Sequence, residues 1–68
     1  RGSDLFYTDL RSADLSEANL SGVNLRHTNF DGAILTGIDF TSANYDLHTL
    51  ETISGDAKLL LKKQGKLW

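Results

Sequence analysis

The sequence predicts an all-β solenoid: about two and a half square coils of chain, stacked and closed by a short C-terminal helix. Three observations carry that expectation. A large apolar residue recurs at every fifth position, at Leu5, Leu10, Leu15, Leu20, Leu25, Phe30, Leu35, Phe40, Tyr45 and Leu50. A mostly small residue stands two places before each, at Ser3, Thr8, Ala13, Ala18, Val23, Thr28, Ala33, Ile38 and Ala43. Asp or Asn fills the place between them in eight of the ten five-residue units, and the register never slips.

A period of five matches neither the helical repeat of about 3.6 nor the strand repeat of about 2. It requires a chain that turns a corner every five residues. Four such sides close a square, and successive squares stack at the spacing of neighbouring strands, about 4.8 Å, sharing backbone hydrogen bonds. The large residue fills the axis and the small one fits the cramped space beside it, so a bulky group at the small position overpacks the core. At this spacing two and a half coils rise roughly 12 Å.

The units ADLSE, ANLSG, VNLRH and ANYDL resemble the pentapeptide-repeat family, whose pattern is A(D/N)LXX, and the resemblance spans residues 3–50. It implies a right-handed quadrilateral β-helix. About function it implies little, since members of that family are mostly of unknown role. Two units depart from the pattern: Ile34 replaces Asp or Asn in AILTG, and His48 stands where a small residue is expected in HTLET. Regular coiling is therefore expected to end near residue 48, with a repeat body over residues 1–53 and a capping helix and tail over 54–68.

The C-terminal cover follows from local signals. Ser54 or Asp56 can serve as N-cap, Ala57 to Gln64 read as a helix, and Gly65 as its stop. Lys62 and Lys63 suit the helix C-terminus. Ala57, Leu60 and Leu61 share one face, expected to lie on the last coil. Leu59, Leu67 and Trp68 lie outside that face, and either fold over the same coil or, for Leu67 and Trp68, bind a partner. At the other end Arg1-Gly2-Ser3 is too short to form a cap. An end-to-end dimer, an upstream domain or a docked partner is expected to cover the first coil.

Composition narrows the functional classes. Sixty-eight residues allow one small domain, marginal in stability on its own. No cysteine is present, which excludes disulfides, thiolate zinc sites and a cysteine nucleophile. Two histidines leave little for a metal site. No apolar run reaches the roughly 18–20 residues of a membrane span, and no signal-peptide pattern opens the chain, so a cytoplasmic location is expected. Residues 1–55 hold eight acids against three arginines (net −5), and residues 56–68 hold four lysines against Asp56 (net +3), giving −2 overall. An acidic body argues against nucleic acid as partner, because phosphate contacts need Lys and Arg. The lysines at the C-terminal end read as a solvated helix face.

No Ser/His/Asp constellation stands out, and the six glycines are scattered rather than gathered into a phosphate loop. The chain is expected to be no enzyme and to carry no cofactor or metal. Residues twenty apart should stack on one side, which brings Phe6 over Arg26 over Asp46, with Tyr7 over His27 over Leu47 beside them. Phe6 is expected to stack on Arg26, and Arg26 to pair with Asp46. A second column, Arg11 over Asp31 over Glu51, reads as ion pairing. A third places Asp14 beside Ile34, and the fourth is small and polar (Ser21, Gly22, Thr41, Ser42). His48 is expected as a terminating residue under the cap. Phe6, Tyr7, Arg26, His27 and Leu47, with Leu67 and Trp68, are the candidate partner-binding residues. The expected function is a non-catalytic protein-binding or assembly module, self-associating or part of a larger protein. The alternative is an acidic DNA mimic that inhibits a type II topoisomerase, as some proteins it resembles do. Its short length and the interrupting Arg11 and Arg26 weigh against that.

Overall fold

The computed structural model describes residues 4–68. The expectation for the first three residues lies outside that range. Corner formation repeats eight times. In each, the carbonyl of the large residue accepts a hydrogen bond from the N–H three residues on, from Leu5/Thr8 to Phe40/Ala43, at 2.9–3.3 Å. The third corner residue has positive φ at Tyr7, Ser12, Glu17, Gly22, His27, Gly32, Gly37 and Ser42. A type II turn demands this at that place. Three of the glycines thus fall in register at corners, a function their scatter along the sequence conceals.

The Asp/Asn position now has a physical role. Its side-chain oxygen accepts the N–H two residues on, from Phe6 on Asp4 to Thr41 on Asp39, at 2.9–3.2 Å in seven corners. Such local acceptors stabilise turns against competing conformations. Ile34 cannot accept, so the Thr36 N–H has no acceptor among the described residues.

Twenty residues bring the chain back into register. Parallel bridges join Asp4 to Asn24, Asp9 to Asn29, Asp14 to Ile34, Asn19 to Asp39 and Asn24 to Asn44. Each side of the first circuit donates two N–H groups to the second, as Leu15 to Ile34 C=O (2.8 Å) and Glu17 to Thr36 C=O (2.7 Å). Three of these sides receive one in return, at the carbonyls of Thr8, Ala13 and Ala18, as Ile34 to Ala13 C=O (2.8 Å). Asp14 lies beside Ile34 as expected.

The regular elements are short: β1 (Asn44–Tyr45), α1 (Leu47–Thr52), α2 (Asp56–Gln64) and β2 (Lys66–Leu67). β1 and β2 pair in parallel, Asn44 with Lys66 and Tyr45 with Leu67. The cover therefore contains two helices where the sequence suggested one. Helical structure begins at Leu47, within the residues that fit the last repeats. Asp46 starts it by accepting the Thr49 N–H at 2.9 Å.

α2 departs in detail from its expected ends. Its N-cap is Gly55, at φ 70°, with no side-chain cap bond, so neither Ser54 nor Asp56 caps it. Gly65 sits at φ −86°, extended rather than left-handed. Its requirement is space, because a Cβ there would stand 2.8 Å from Leu61 Cδ1 and 3.0 Å from the Ala43 carbonyl oxygen. Leu61 is buried and Ala57 and Leu60 half-buried, as their shared face requires, while Leu59 is exposed.

The core runs from Val23, Leu25, Phe30 and Phe40 to Ile53 and Leu61. Phe30 and Phe40 meet edge to face at 6.4 Å. The helical cover also supplies acceptors where a third circuit would place carbonyls. Asp46 accepts the His27 N–H (3.1 Å), Thr52 Oγ1 that of Phe30 (3.0 Å), and Gln64 Oε1 that of Phe40 (3.0 Å). The Gln64 carbonyl accepts from Ser42 (3.0 Å), and that of Asn44 from Leu25 (2.7 Å). Thr49, wholly buried, accepts the Thr28 N–H (3.0 Å) and donates to the Leu25 carbonyl.

Candidate partner-binding surface

Residues 6, 7, 26 and 27 occupy the two outer places of equivalent corners, so the twenty-residue register stacks them. The Phe6 and Tyr7 rings lie 4.4 Å apart, and Tyr7 stacks nearly parallel on His27 at 4.7 Å. The Arg26 guanidinium carbon stands 5.1 Å from the Phe6 ring centre. This is the stacking read from the sequence.

Two partners in this cluster differ from expectation. Arg26 does not pair with Asp46; its Nε donates to Asn24 Oδ1 (3.1 Å) and its guanidinium lies 4.0 Å over the Trp68 ring. Asp46 is turned inward instead, between the Thr49 and His27 N–H groups, with His27 Nε2 3.4 Å from its Oδ2. Burial works to raise the Asp46 pKa. Hydrogen bonds from Thr49 and His27, with the nearby imidazole, outweigh it and hold the carboxyl below its ordinary 3.8.

Trp68 reaches the patch because β2 lies against β1, and its N–H donates to the Tyr45 carbonyl (2.6 Å). The tail backbone thus folds onto the body while Leu67 and Trp68 stay exposed. His48 is not covered by the cap: it is exposed on α1, its ring 5.4 Å from His27. Leu47 is exposed beside it. The outcome is a continuous surface of Phe6, Tyr7, His27, His48 and, across Arg26, Trp68. Tyr7 is 69% and Trp68 72% exposed, so the largest apolar surfaces face outward. The five-residue spacing marks His48 only as the end of a repeat and hides its place on the exposed face of α1.

The column of Arg11, Asp31 and Glu51 pairs differently from its reading. Arg11 forms a two-pronged bond with Asp9 of its own side, Nε to Oδ1 at 2.9 Å and Nη2 to Oδ2 at 2.8 Å. This side-chain bond, with the Arg11 backbone N–H, lowers the Asp9 pKa to about 2. Among the described residues no group of three or more His, Asp or Glu could hold a metal ion, and no helix is long and apolar enough to cross a membrane.

Eight five-residue corners and a twenty-residue register define a repeat protein. The family model for pentapeptide repeats matches residues 3–41 in eight copies, and the chain belongs to the pentapeptide repeat family. The match stops just before the residues that form β1 and α1. No curated protein and no solved structure matches the chain.

Proposed function

We propose that this repeat-protein module is a non-catalytic protein-binding and assembly domain built on a right-handed quadrilateral β-helix. The recurring corners and twenty-residue register support the four-sided path, and membership of the family supports its hand. The single observation that carries the binding role is the exposed patch of Phe6, Tyr7 and Trp68, with half-buried His27, around Arg26. Aromatic residues and arginine are the side chains that most often dominate protein interfaces: the rings bury large area with few rotatable bonds, and the planar guanidinium stacks on them while offering several donors. The partner proposed first is a second copy of the chain.

Light scattering over a concentration series tests it. The native chain is expected to pass from monomer to dimer with rising concentration, and a Tyr7→Ser, Trp68→Ser double variant to remain monomeric while still folded. A native mass that stays monomeric, or a dimer that survives both substitutions, overturns self-association through this patch.

A further inference from the structure

The edge of the second circuit is only partly covered. By the pattern of the first circuit, each side of the second should donate two N–H groups toward the C-terminal end. Those of Leu25, His27, Phe30, Phe40 and Ser42 find acceptors on the following chain. Those of Gly32, Leu35 and Gly37 find none among the described residues, and the Ala33 carbonyl receives no donor. All four groups border one cavity of about 560 Å³, between this edge and the chain from Thr52 to Leu60.

The same side is exceptional in two further ways. Leu35 is the one large centre of the second circuit that stays half-buried. Ile34 beside it is 51% exposed, where other sides present Asp or Asn. Phe30, Leu35, Ile53 and Leu60 give the cavity an apolar floor. Its volume is within the range of about 300–1,000 Å³ typical of ligand sites.

We propose that this slot binds an extended segment of a partner polypeptide by strand addition. The slot continues an interface the molecule already makes, the parallel ladder between its two circuits. That ladder fixes the register of the incoming segment. One carbonyl accepts from Gly32; the third residue after it accepts from Leu35 and donates its own N–H to the Ala33 carbonyl; the fifth accepts from Gly37. The second and fourth residues after the first turn inward, which calls for a small side chain and then an apolar one over Leu35 and Leu60. Main-chain bonds then supply affinity and the inward pocket supplies selectivity. The slot is distinct from the aromatic patch and rests only on the broader reading of the domain as a binding module.

The test is amide exchange by NMR with a capped hexapeptide, Ser-Thr-Ala-Asn-Leu-Ser, and the Tyr7→Ser, Trp68→Ser variant run in parallel. At free peptide about ten times its Kd, exchange at Gly32, Leu35 and Gly37 should slow about tenfold. The amides of Phe30 and Phe40, already bonded, should not change. Placing proline at the fourth residue removes the N–H meant for Ala33 and should abolish the protection. Unaltered exchange at the three amides up to the solubility limit, or equal protection by the proline peptide, overturns the proposal. Protection that persists in the patch variant separates the slot from the patch, and protection lost there assigns the binding to the patch and overturns the slot.

Discussion

The two circuits obey one repeat and differ in what lies over them. In the first, Leu5, Leu10, Leu15 and Leu20 are only half-buried, whereas in the second Leu25, Phe30 and Phe40 are buried. The second is covered by α1, α2 and β2. Leu35 shows that cover, and not membership of the second circuit, decides burial: it faces the slot the helices leave open, and it resembles the first circuit in exposure. A five-residue repeat therefore builds a frame with few buried centres of its own and depends on whatever closes its ends.

The comparison breaks most visibly at the covered centres. Phe40→Ala is expected to cost about 3–5 kcal/mol, through lost transfer energy and a cavity against Phe30. Leu10→Ala should cost well under that, because its side chain already meets solvent on one side. Urea denaturation of both variants measures the difference, and equal losses would mean that burial does not follow the cover.

A smaller effect tests the cover as a source of acceptors. Thr49→Val keeps the shape and removes the hydroxyl that serves the Thr28 N–H and the Leu25 carbonyl. Both groups keep their mutual corner bond (3.2 Å), so the expected cost is that of the two hydrogen bonds lost, about 1–3 kcal/mol together. Gln64→Ala should fall in the same range or below it, since that side chain is half-buried. If Thr49→Val leaves the denaturation midpoint unmoved, the helices cover the edge without satisfying it.

One substitution should add stability. Ile34→Asn restores an acceptor for the Thr36 N–H and places an amide beside Asp14, as Asn24 Nδ2 already donates to Asp4 Oδ1 at 3.2 Å. A gain of about 0.5–1.5 kcal/mol is expected, read as a higher melting temperature. A loss would show that the exposed Ile34 packs in a way the corner does not reveal.

These effects mark what was legible in the sequence. Register, axial centres and the stacking of Phe6 on Arg26 follow from a period of five, because every side repeats the same physical task. The end of the repeat is less visible. Tyr45 and Leu50 keep the five-residue spacing, yet Asp46 caps a helix through Thr49, and spacing alone does not distinguish a centre from a helical residue. β2 is hidden because two residues cannot show an alternating pattern and their register with β1 is set by the length of the two helices. The roles of Thr49, Thr52 and Gln64 as stand-ins for carbonyls, and the place of Trp68 over Arg26, exist only once the cover is folded. Column spacing pairs Arg11 with Asp31 and Glu51 because it compares different circuits, while Asp9 on its own side takes the guanidinium at 2.8 Å.

The smallest expected effect concerns acid stability, and it separates an enclosed carboxylate from an exposed one. Asp46 and Asp9 both titrate below 3.8, and Asp9 is displaced further, to about 2. With folded pKa values depressed, each stabilises the fold fully above the unfolded value near 3.8 and loses that contribution as pH falls through its folded value. Asp9 nevertheless stands in solvent with Arg11, where water and salt screen the pair and its contribution to folding is small. Asp46 is largely enclosed and serves the start of α1 and the His27 corner together. Asp46→Asn should therefore flatten the fall in stability below pH 4 more than Asp9→Asn. In about 1 M salt, with a screening length of about 3 Å, the Asp9 effect should vanish and the Asp46 effect persist. A larger change from Asp9→Asn in high salt would place the acid sensitivity at the exposed corner and not at the junction between the second circuit and its cover.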